Sequence, residues 1–296
     1  MALFTYQNKH KIDYFEGWYL RLIDESNNLN YAIIIGITKE SSDAHSFIQI
    51  YDGTKLENHY YRYHLEDFSF SGDKVRIKHN YLSKDALCIK EKGIDINIVI
   101  NKQEKLKAKS AMGFLSKLPL TCFQEVIFMD AQYHGEITID EKKYNSTGKS
   151  YMEKTYGNKF PTKWIWLQSN HFNKEVSFAF AYGLVPIAKW EAKGFFAIMH
   201  YKGKEYRFAS YNFSRLKIIK KSETDLEFTI KRGRLRLEIS AQILNNVILV
   251  GPGVNGIMNL DVKESLNSLV HIRFSKGNKV IFETTGTNVG LENMSQ

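Results

Sequence analysis

Apolar and polar residues alternate along most of the chain with a period of two. Isoleucines occupy every second position from 94 to 100, and residues 137–139 and 235–243 alternate in the same way. Residues 31–37, 47–51 and 60–70 are also expected to form strands. This is the period of a β-strand with one buried face. Apart from short turns expected near residues 189–193 and 264–270, helical periodicity is scarce. Many short strands in 296 residues predict an all-β chain with two barrel-like domains.

Irregular stretches divide this pattern. Residues 112–125 look like a loop that leads from one barrel towards the next, and residues 145–149 (Asn-Ser-Thr-Gly-Lys) form a polar break. Glycine and proline mark residues 157–161 as a turn. We place the domain boundary near residue 155, with domains at 1–155 and 156–296.

A strand beginning at Lys163 follows that turn. Alternation places Trp164, Trp166, Gln168 and Asn170 on one face. Such a face suits a pocket wall that is apolar at one end and polar at the other. An ordinary polar strand end is the alternative for Gln168, Asn170 and the neighbouring His171.

An earlier strand carries a carboxyl group between aromatic residues. Alternation puts Tyr14, Glu16, Trp18 and Leu20 on one face. The pattern allows three interpretations of Glu16. It could lie at the rim of the sheet, or it could pair with a buried Lys or Arg. It could also lie in an apolar cavity that raises its pKa, which would suit a proton donor. Trp18 either walls a pocket or packs at the barrel end.

Charge and cysteine content narrow the class of protein. The net charge is +9, but the lysines are scattered singly and in pairs, which does not favour nucleic-acid binding. Two cysteines make neither a disulfide framework nor a zinc site. The chain begins without a charged-then-apolar leader, and its apolar runs are too short to span a bilayer. We expect a cytoplasmic protein.

Several motifs together resemble the tocopherol cyclase family. They are Phe15-Glu16-Gly17-Trp18-Tyr19, Met112-Gly113, Met129-Asp130, Tyr151-x-Glu153-Lys154-x-x-Gly157, Phe160-Pro161-x-x-Trp164-x-Trp166-x-Gln168-x-Asn170, Gly256-Ile257-Met258, Glu264-Ser265-Leu266 and Gly290-Leu291-Glu292. The resemblance implies two lipocalin-like antiparallel β-barrels in tandem. It also implies closure of a prenylated hydroquinone to a chromanol without metal, nucleotide or other cofactor. Residues 121–124 (Thr-Cys-Phe-Gln) depart from the Glu-Cys-x-His that the family often has there.

Ring closure of this kind needs a proton donor close to an alkene. The alkene is a weak base, so the donor must be neutral near pH 7 and held in place. Glu153 is the first candidate and Glu16 the second, although an ion pair of Glu153 with Lys154 or an arginine would lower its pKa. The expected substrate-binding residues are Trp18, Tyr19, Tyr151, Lys154, Trp164, Trp166, Gln168, Asn170 and His171.

A carrier that binds a lipophilic molecule without changing it is the alternative function. The same aromatic residues would serve it, and residues 121–124 agree with it. In either case the expected partner is a lipophilic small molecule rather than a nucleic acid. The basic charge adds an expectation of peripheral contact with an anionic membrane surface, which equal pelleting with neutral and anionic vesicles would contradict.

Overall fold

The computed structural model of the protein describes residues 4–7, 11–107, 110–187 and 190–295. Within these residues the chain forms strands joined by turns and by short 3₁₀ helices at Leu65–Asp67, Gly113–Lys117, Ser210–Asn212 and Val254–Gly256. The all-β class predicted from the period of two is confirmed. In the described part of the chain, no helix is long and apolar enough to cross a membrane.

The first half of the chain forms one antiparallel sheet. Its strands are β1 (Phe15–Asp24), β2 (Leu29–Thr38), β3 (His45–Asp52), β4 (Glu57–Tyr63), β5 (Phe68–Ser71), β6 (Lys74–Ile77), β7 (Asn80–Ser83), β8 (Ala86–Glu91), β9 (Ile94–Glu104), β10 (Cys122–Ile139) and β11 (Lys142–Gly157). They lie in the order β4-β3-β2-β1-β11-β10-β9-β8-β7-β6-β5. The sheet is therefore a meander, except that β11 pairs with β1.

The second half forms another antiparallel sheet. Its strands are β12 (Lys163–Ser169), β13 (His171–Phe172), β14 (Val176–Ile187), β15 (Trp190–Tyr201), β16 (Lys204–Ala209), β17 (Arg215–Lys221), β18 (Asp225–Arg232), β19 (Leu235–Gln242), β20 (Val247–Pro252), β21 (Met258–Lys276) and β22 (Lys279–Asn293). The main path runs β16-β15-β14-β12-β22-β21-β19-β18-β17, while β13 pairs with β22 and β20 with β21.

Two compact units result, each built from separate stretches of chain. The first unit contains β1 to β9, then Cys122–Phe160, and also Val250–Asp261. The second unit contains Ser110–Thr121, Pro161–Leu249 and the chain from Val262 onward.

Each sheet curls around its own apolar core. In the first unit the edge strand β4 reaches the β8–β9 turn, because the Tyr61 hydroxyl donates to the Lys92 carbonyl oxygen (3.2 Å). In the second unit the ring of Phe180 in β14 stacks on that of Phe228 in β18, with 4.3 Å between centroids. Strands far apart in the sheet order thus meet across an apolar interior. Each unit is a lipocalin-like β-barrel, as predicted.

The polar break predicted at residues 145–149 is wrong, because β11 continues through it. A Cβ atom on Gly148 would lie 2.0 Å from the carbonyl oxygen of Ile23. This glycine permits close approach of β1 rather than a turn. Its neighbour Ser146 donates from Oγ to the Asp24 carboxylate at 2.8 Å, so the polar residues here serve strand packing.

Two other segments also differ from expectation. Residues 264–270 form part of β21 rather than a helical turn, and the register of β21 with β22 shifts there on both sides of Ser268. Residues 60–70, expected as one strand, divide into β4 and β5 at the 3₁₀ helix Leu65–Asp67. The other short turn was expected at residues 189–193, and its first residue lies outside the described part of the chain.

Candidate functional site

Strands β1 and β11 place the two predicted acids on opposite faces of the first sheet. The antiparallel register sets Trp18 opposite Lys154 and Tyr19 opposite Glu153. Opposite residues share a face, and successive residues alternate between faces. Trp18 belongs to the core cluster, so Glu16, Trp18 and Lys154 face the barrel interior. Tyr19 and Glu153 face away from it.

Inside the barrel, Glu16 and Lys154 form a fully buried ion pair. Lys154 Nζ lies 3.0 Å from Glu16 Oε1, and both side chains have 0% exposure. The Tyr14 hydroxyl donates to Glu16 Oε2 at 3.0 Å. Burial raises the pKa of Glu16, although Lys154 and the hydrogen bonds act in the opposite direction. Burial lowers the pKa of Lys154 despite the nearby carboxylate. The raised pKa makes Glu16 easier to protonate than an exposed glutamate.

Residues 4–7 close this interior site through backbone contacts. The Lys154 ammonium donates to the Thr5 carbonyl oxygen at 2.7 Å. The backbone N–H of Gln7 donates to the Glu16 carboxylate, at 3.2 Å to Oε1 and 3.0 Å to Oε2. The N-terminal segment therefore satisfies both charged groups of the pair.

Aromatic rings form the walls beside the ion pair. The Trp18 indole stacks on Phe70 with 5.9 Å between centroids, and Phe4 packs against it at 5.9 Å. Lys154 Nζ lies 5.8 Å from the centre of the Trp18 ring and 4.9 Å from that of Tyr156. The Trp18 indole N–H is buried, and among the described residues no atom accepts a hydrogen bond from it. A hydrogen-bond acceptor on a ligand would pair with this N–H group.

The opposite face of the same strands carries Glu153. Its carboxylate accepts the Tyr151 hydroxyl at 2.5 Å and the Gln124 amide at 2.9 Å to each oxygen. Burial, followed by the Glu153 charge, raises the pKa of Tyr151 well above its ordinary value. The same two causes raise the pKa of the Cys122 thiol to about 12. The alternative of an ion pair between Glu153 and Lys154 does not hold, because Lys154 contacts Glu16 on the other face.

In the second unit, β12 has the two faces expected from alternation. Ile165 and Leu167 belong to the core cluster, whereas Trp164, Trp166 and Gln168 lie on the opposite face. These three side chains are nevertheless buried, at 7%, 5% and 0% exposure. The Trp164 indole N–H donates to the Glu292 carboxylate of β22.

Asn170 and His171 lie just beyond this strand. β12 ends at Ser169, so Asn170 is not part of the strand face on which alternation placed it. The buried Asn170 carboxamide oxygen lies 2.8 Å from His171 Nδ1, and His171 begins the short strand β13. This places a histidine–amide contact at the end of β12.

The predicted site residues therefore fall into three groups. The first-unit interior brings together Glu16, Trp18 and Lys154; the opposite face of the same strands holds Tyr19, Tyr151 and Glu153; the second unit holds the remaining five. Sequence reasoning missed Tyr14, Gln124, Tyr156 and Glu292 as members of these groups. Tyr14 shares the alternation of Glu16, so its sequence signal was present. Within the described residues no group of three or more His, Cys, Asp or Glu side chains could hold a metal ion.

The fold and these buried polar groups define a protein with two lipocalin-like barrels, one of which has an ion pair in its interior. Residues 96–293 match the model of the tocopherol cyclase-like family. The chain belongs to this family, as its motifs indicated. No curated protein sequence matches the chain significantly.

Solved structures share the fold at low sequence identity. A protein from Nitrosomonas europaea assigned as AttH aligns with a TM-score of 0.60 and 12% identity, over 99% of this chain and 98% of that one. CghA with Sch210972 gives 0.62 and 9%, over 96% and 89%. Kievitone hydratase from Nectria haematococca gives 0.53 and 11%, over 95% and 89%. These likenesses extend over nearly the whole chain and concern the fold.

Proposed function

We propose that the protein closes a ring in a prenylated hydroquinone, giving a chromanol, with Glu16 as the proton donor. The observation that carries this proposal is the fully buried Glu16 carboxyl group beside aromatic rings, with a pKa raised by burial. Family membership supports the reaction class. Of the two acids predicted from the sequence, Glu16 is preferred because it faces the aromatic interior that holds Trp18.

The reaction begins with transfer of the Glu16 proton to the trisubstituted alkene. The resulting tertiary carbocation is attacked by the phenol oxygen, and the phenol proton returns to the Glu16 carboxylate. Substrate and product are isomers, so no co-reactant is consumed. The cycle needs a neutral carboxyl at its start, and burial of Glu16 raises its pKa in that direction.

Lys154 and the aromatic rings stabilise what the proton transfer produces. The Lys154 ammonium, 3.0 Å from Glu16, stabilises the carboxylate that remains. The Trp18 and Tyr156 rings offer π faces to the carbocation, each worth roughly 0.5–2 kcal/mol. An apolar wall also excludes water that would otherwise capture the cation. The unpartnered Trp18 N–H would donate to an oxygen of the substrate.

Residues 4–7 would exchange with the substrate. The Phe4 ring lies against Trp18, where a prenyl chain would pack, and the backbone of Thr5 and Gln7 contacts both charged groups. Binding of the substrate therefore requires displacement of this segment from the ion pair. Once the segment leaves, Glu16 loses the Gln7 N–H that stabilises its ionised form, which favours the neutral acid.

Incubation with a prenylated hydroquinone under argon tests the proposal. Quinol and chromanol are isomers, so chromatographic retention rather than mass must separate them. We expect a chromanol peak with the wild-type protein and a strongly reduced one with Glu16→Gln.

Two other results would contradict this function. Unchanged quinol that co-elutes with the protein on gel filtration would establish the carrier instead. Equal chromanol formation by wild-type protein and Glu16→Gln would retain the cyclase but remove Glu16 as its acid.

A further inference from the structure

Gln168 carries a buried amide that has no hydrogen-bond partner. The side chain has 0% exposure, and neither its nitrogen nor its oxygen is hydrogen-bonded to any described residue. Leaving a buried polar group unpaired costs about 1–3 kcal/mol per group, so proteins rarely keep one without a use. Gln168 is therefore the strongest sign of a ligand in the second unit.

The residues beside Gln168 on the neighbouring strands are small. Its cross-strand neighbours are Ala179 on β14 and Gly290 on β22, and the neighbour of Trp166 on β14 is Ala181. These small residues form a flat floor on both sides of Gln168, and Ala179 is buried as Gln168 is. The Trp166 indole, two residues along the same face, provides one wall of this floor.

The polar end of this floor is completed by Glu292. It lies opposite Trp166 in the register, which makes it a diagonal neighbour of Gln168. Its carboxylate accepts the indole N–H of Trp164. The face thus combines indole rings, an amide with both a donor and an acceptor, and an acidic group.

We propose that this face of β12 binds a flat, uncharged ring that carries a carboxamide or a lactam. Such a group presents one N–H and one C=O side by side, and it can satisfy the donor and the acceptor of Gln168 together. The indole rings pack on the flat ring. The acidic Glu292 disfavours an anionic ligand such as a carboxylate.

This proposal concerns residues that take no part in proton transfer from Glu16. It assigns to the second unit a binding site of its own, beyond the ring closure proposed for the first. A hydrocarbon would leave both polar atoms of Gln168 unpaired, and a single hydroxyl would satisfy them less completely than an amide does.

Titration calorimetry with three matched probes tests the site. Benzamide has the donor and the acceptor, N,N-dimethylbenzamide lacks the N–H donor, and benzoate is anionic. We expect benzamide to bind at least tenfold more tightly than either other probe. In Gln168→Met this preference should vanish, while the midpoint of thermal unfolding rises by a few degrees because the unpaired amide is gone.

Gln132→Met is the matched control, because Gln132 is exposed on β10 and the chemical change is the same. It should change neither the binding preference nor the unfolding midpoint appreciably. Wild-type protein that binds the three probes equally, or not at all, would overturn the proposal and leave Gln168 to an ordered water. Retention of the benzamide preference in Gln168→Met would overturn it as well.

Discussion

The interiors of the two barrels differ in their chemistry. The core cluster of the second unit consists of aliphatic and aromatic side chains, such as Phe180, Phe228 and Phe274. The core of the first unit is equally apolar through most of its strands, but Glu16 and Lys154 lie beside it as a fully buried pair. The first strands differ in the same way, because Trp18 faces its barrel core whereas Trp164 and Trp166 face away from theirs.

This difference indicates which barrel has an interior adapted to chemistry. Removing two charges from water is costly, and well-packed apolar residues of similar volume are often as stable or more so. The second unit shows that this fold can close around an apolar core alone. Stability alone therefore does not require the ion pair of the first unit, which supports the proton transfer proposed for Glu16.

The largest expected effect is the loss of activity in Glu16→Gln. Removing a general acid typically lowers the rate by 10²–10⁴-fold, and we expect kcat to fall within this range. Glu153→Gln is the matched variant, because the same change occurs on the same strand pair but on the opposite face. It should retain kcat to within a few fold, measured by chromanol formation under identical conditions. A larger loss in Glu153→Gln than in Glu16→Gln would reverse the assignment of the two faces.

The second effect concerns stability and its dependence on pH. Lys154→Met leaves Glu16 buried without its cation and should cost about 3–5 kcal/mol at pH 8. Since the pKa of Glu16 is raised in the folded protein, the folded state binds the proton more readily than the unfolded state does. The penalty should therefore shrink as the pH falls from 8 towards 5.

Phe228→Ala provides the comparison from the second barrel. Truncation of a buried phenylalanine also costs about 3–5 kcal/mol, but no titrating group is exposed or neutralised by it. Urea unfolding at several pH values should show a penalty that is independent of pH for Phe228→Ala. If the loss of unfolding free energy had the same pH dependence in Lys154→Met as in Phe228→Ala, Glu16 would not respond to the loss of Lys154.

The barrel fold was largely predictable because the alternation of residues within a strand identifies its buried face. Isoleucine occupies every second position of residues 94–100, which form the first part of β9, and these isoleucines are the buried residues there. The errors occur where tertiary contacts change the local signal. Gly148 indicates a turn by composition, but it allows β1 to approach β11. Residues 264–270 suggest a helical turn because the register shifts in β21 interrupt the period of two.

The candidate site was predictable only in part, for the same reason. Alternation placed Glu16 and Trp18 on one face, and the structure agrees. The partner of Glu16 depends on the register between β1 and β11, strands more than a hundred residues apart in the chain, which no local pattern reveals. Backbone contacts from Thr5 and Gln7 to the pair are likewise invisible in a sequence.

A smaller effect should follow from Tyr14→Phe. The Tyr14 hydroxyl donates to the Glu16 carboxylate and so favours its ionised form. Its removal should raise the pKa of Glu16, and the alkaline limb of the pH–rate profile should move to higher pH by about one unit or less. Tyr19→Phe, on the opposite face, is the control and should leave the profile unchanged. A shift to lower pH would contradict the role of Glu16 as an acid.

The smallest effect compares two carboxylates outside the ion pair. Burial opposes ionisation of Asp24, but hydrogen bonds from Ser26, Asn27 and Ser146 prevail and lower its pKa to about 2. A lowered folded-state pKa adds stability above the ordinary pKa of about 3.9, and this stability is lost as the pH falls towards 2. Asp24→Asn should flatten acid unfolding between pH 4 and 2.

Asp225→Asn in the second unit should flatten acid unfolding less than Asp24→Asn does. The pKa of Asp225 is also lowered, by hydrogen bonds from Thr224 and Lys220, but its side chain is 39% exposed to solvent. Thermal unfolding from pH 2 to pH 5 compares the two variants. Equal flattening would mean that burial of Asp24 adds nothing to its contribution.

Carboxyl ¹³C NMR of protein labelled at the glutamate side chains tests the assignment of the acid most directly. One carboxyl resonance should titrate above the ordinary glutamate pKa of about 4.3, and it should be absent from the spectrum of Glu16→Gln. It should remain in Glu153→Gln. If the resonance lost in Glu16→Gln titrates at or below the ordinary value, Glu16 is a permanent carboxylate and cannot start the ring closure.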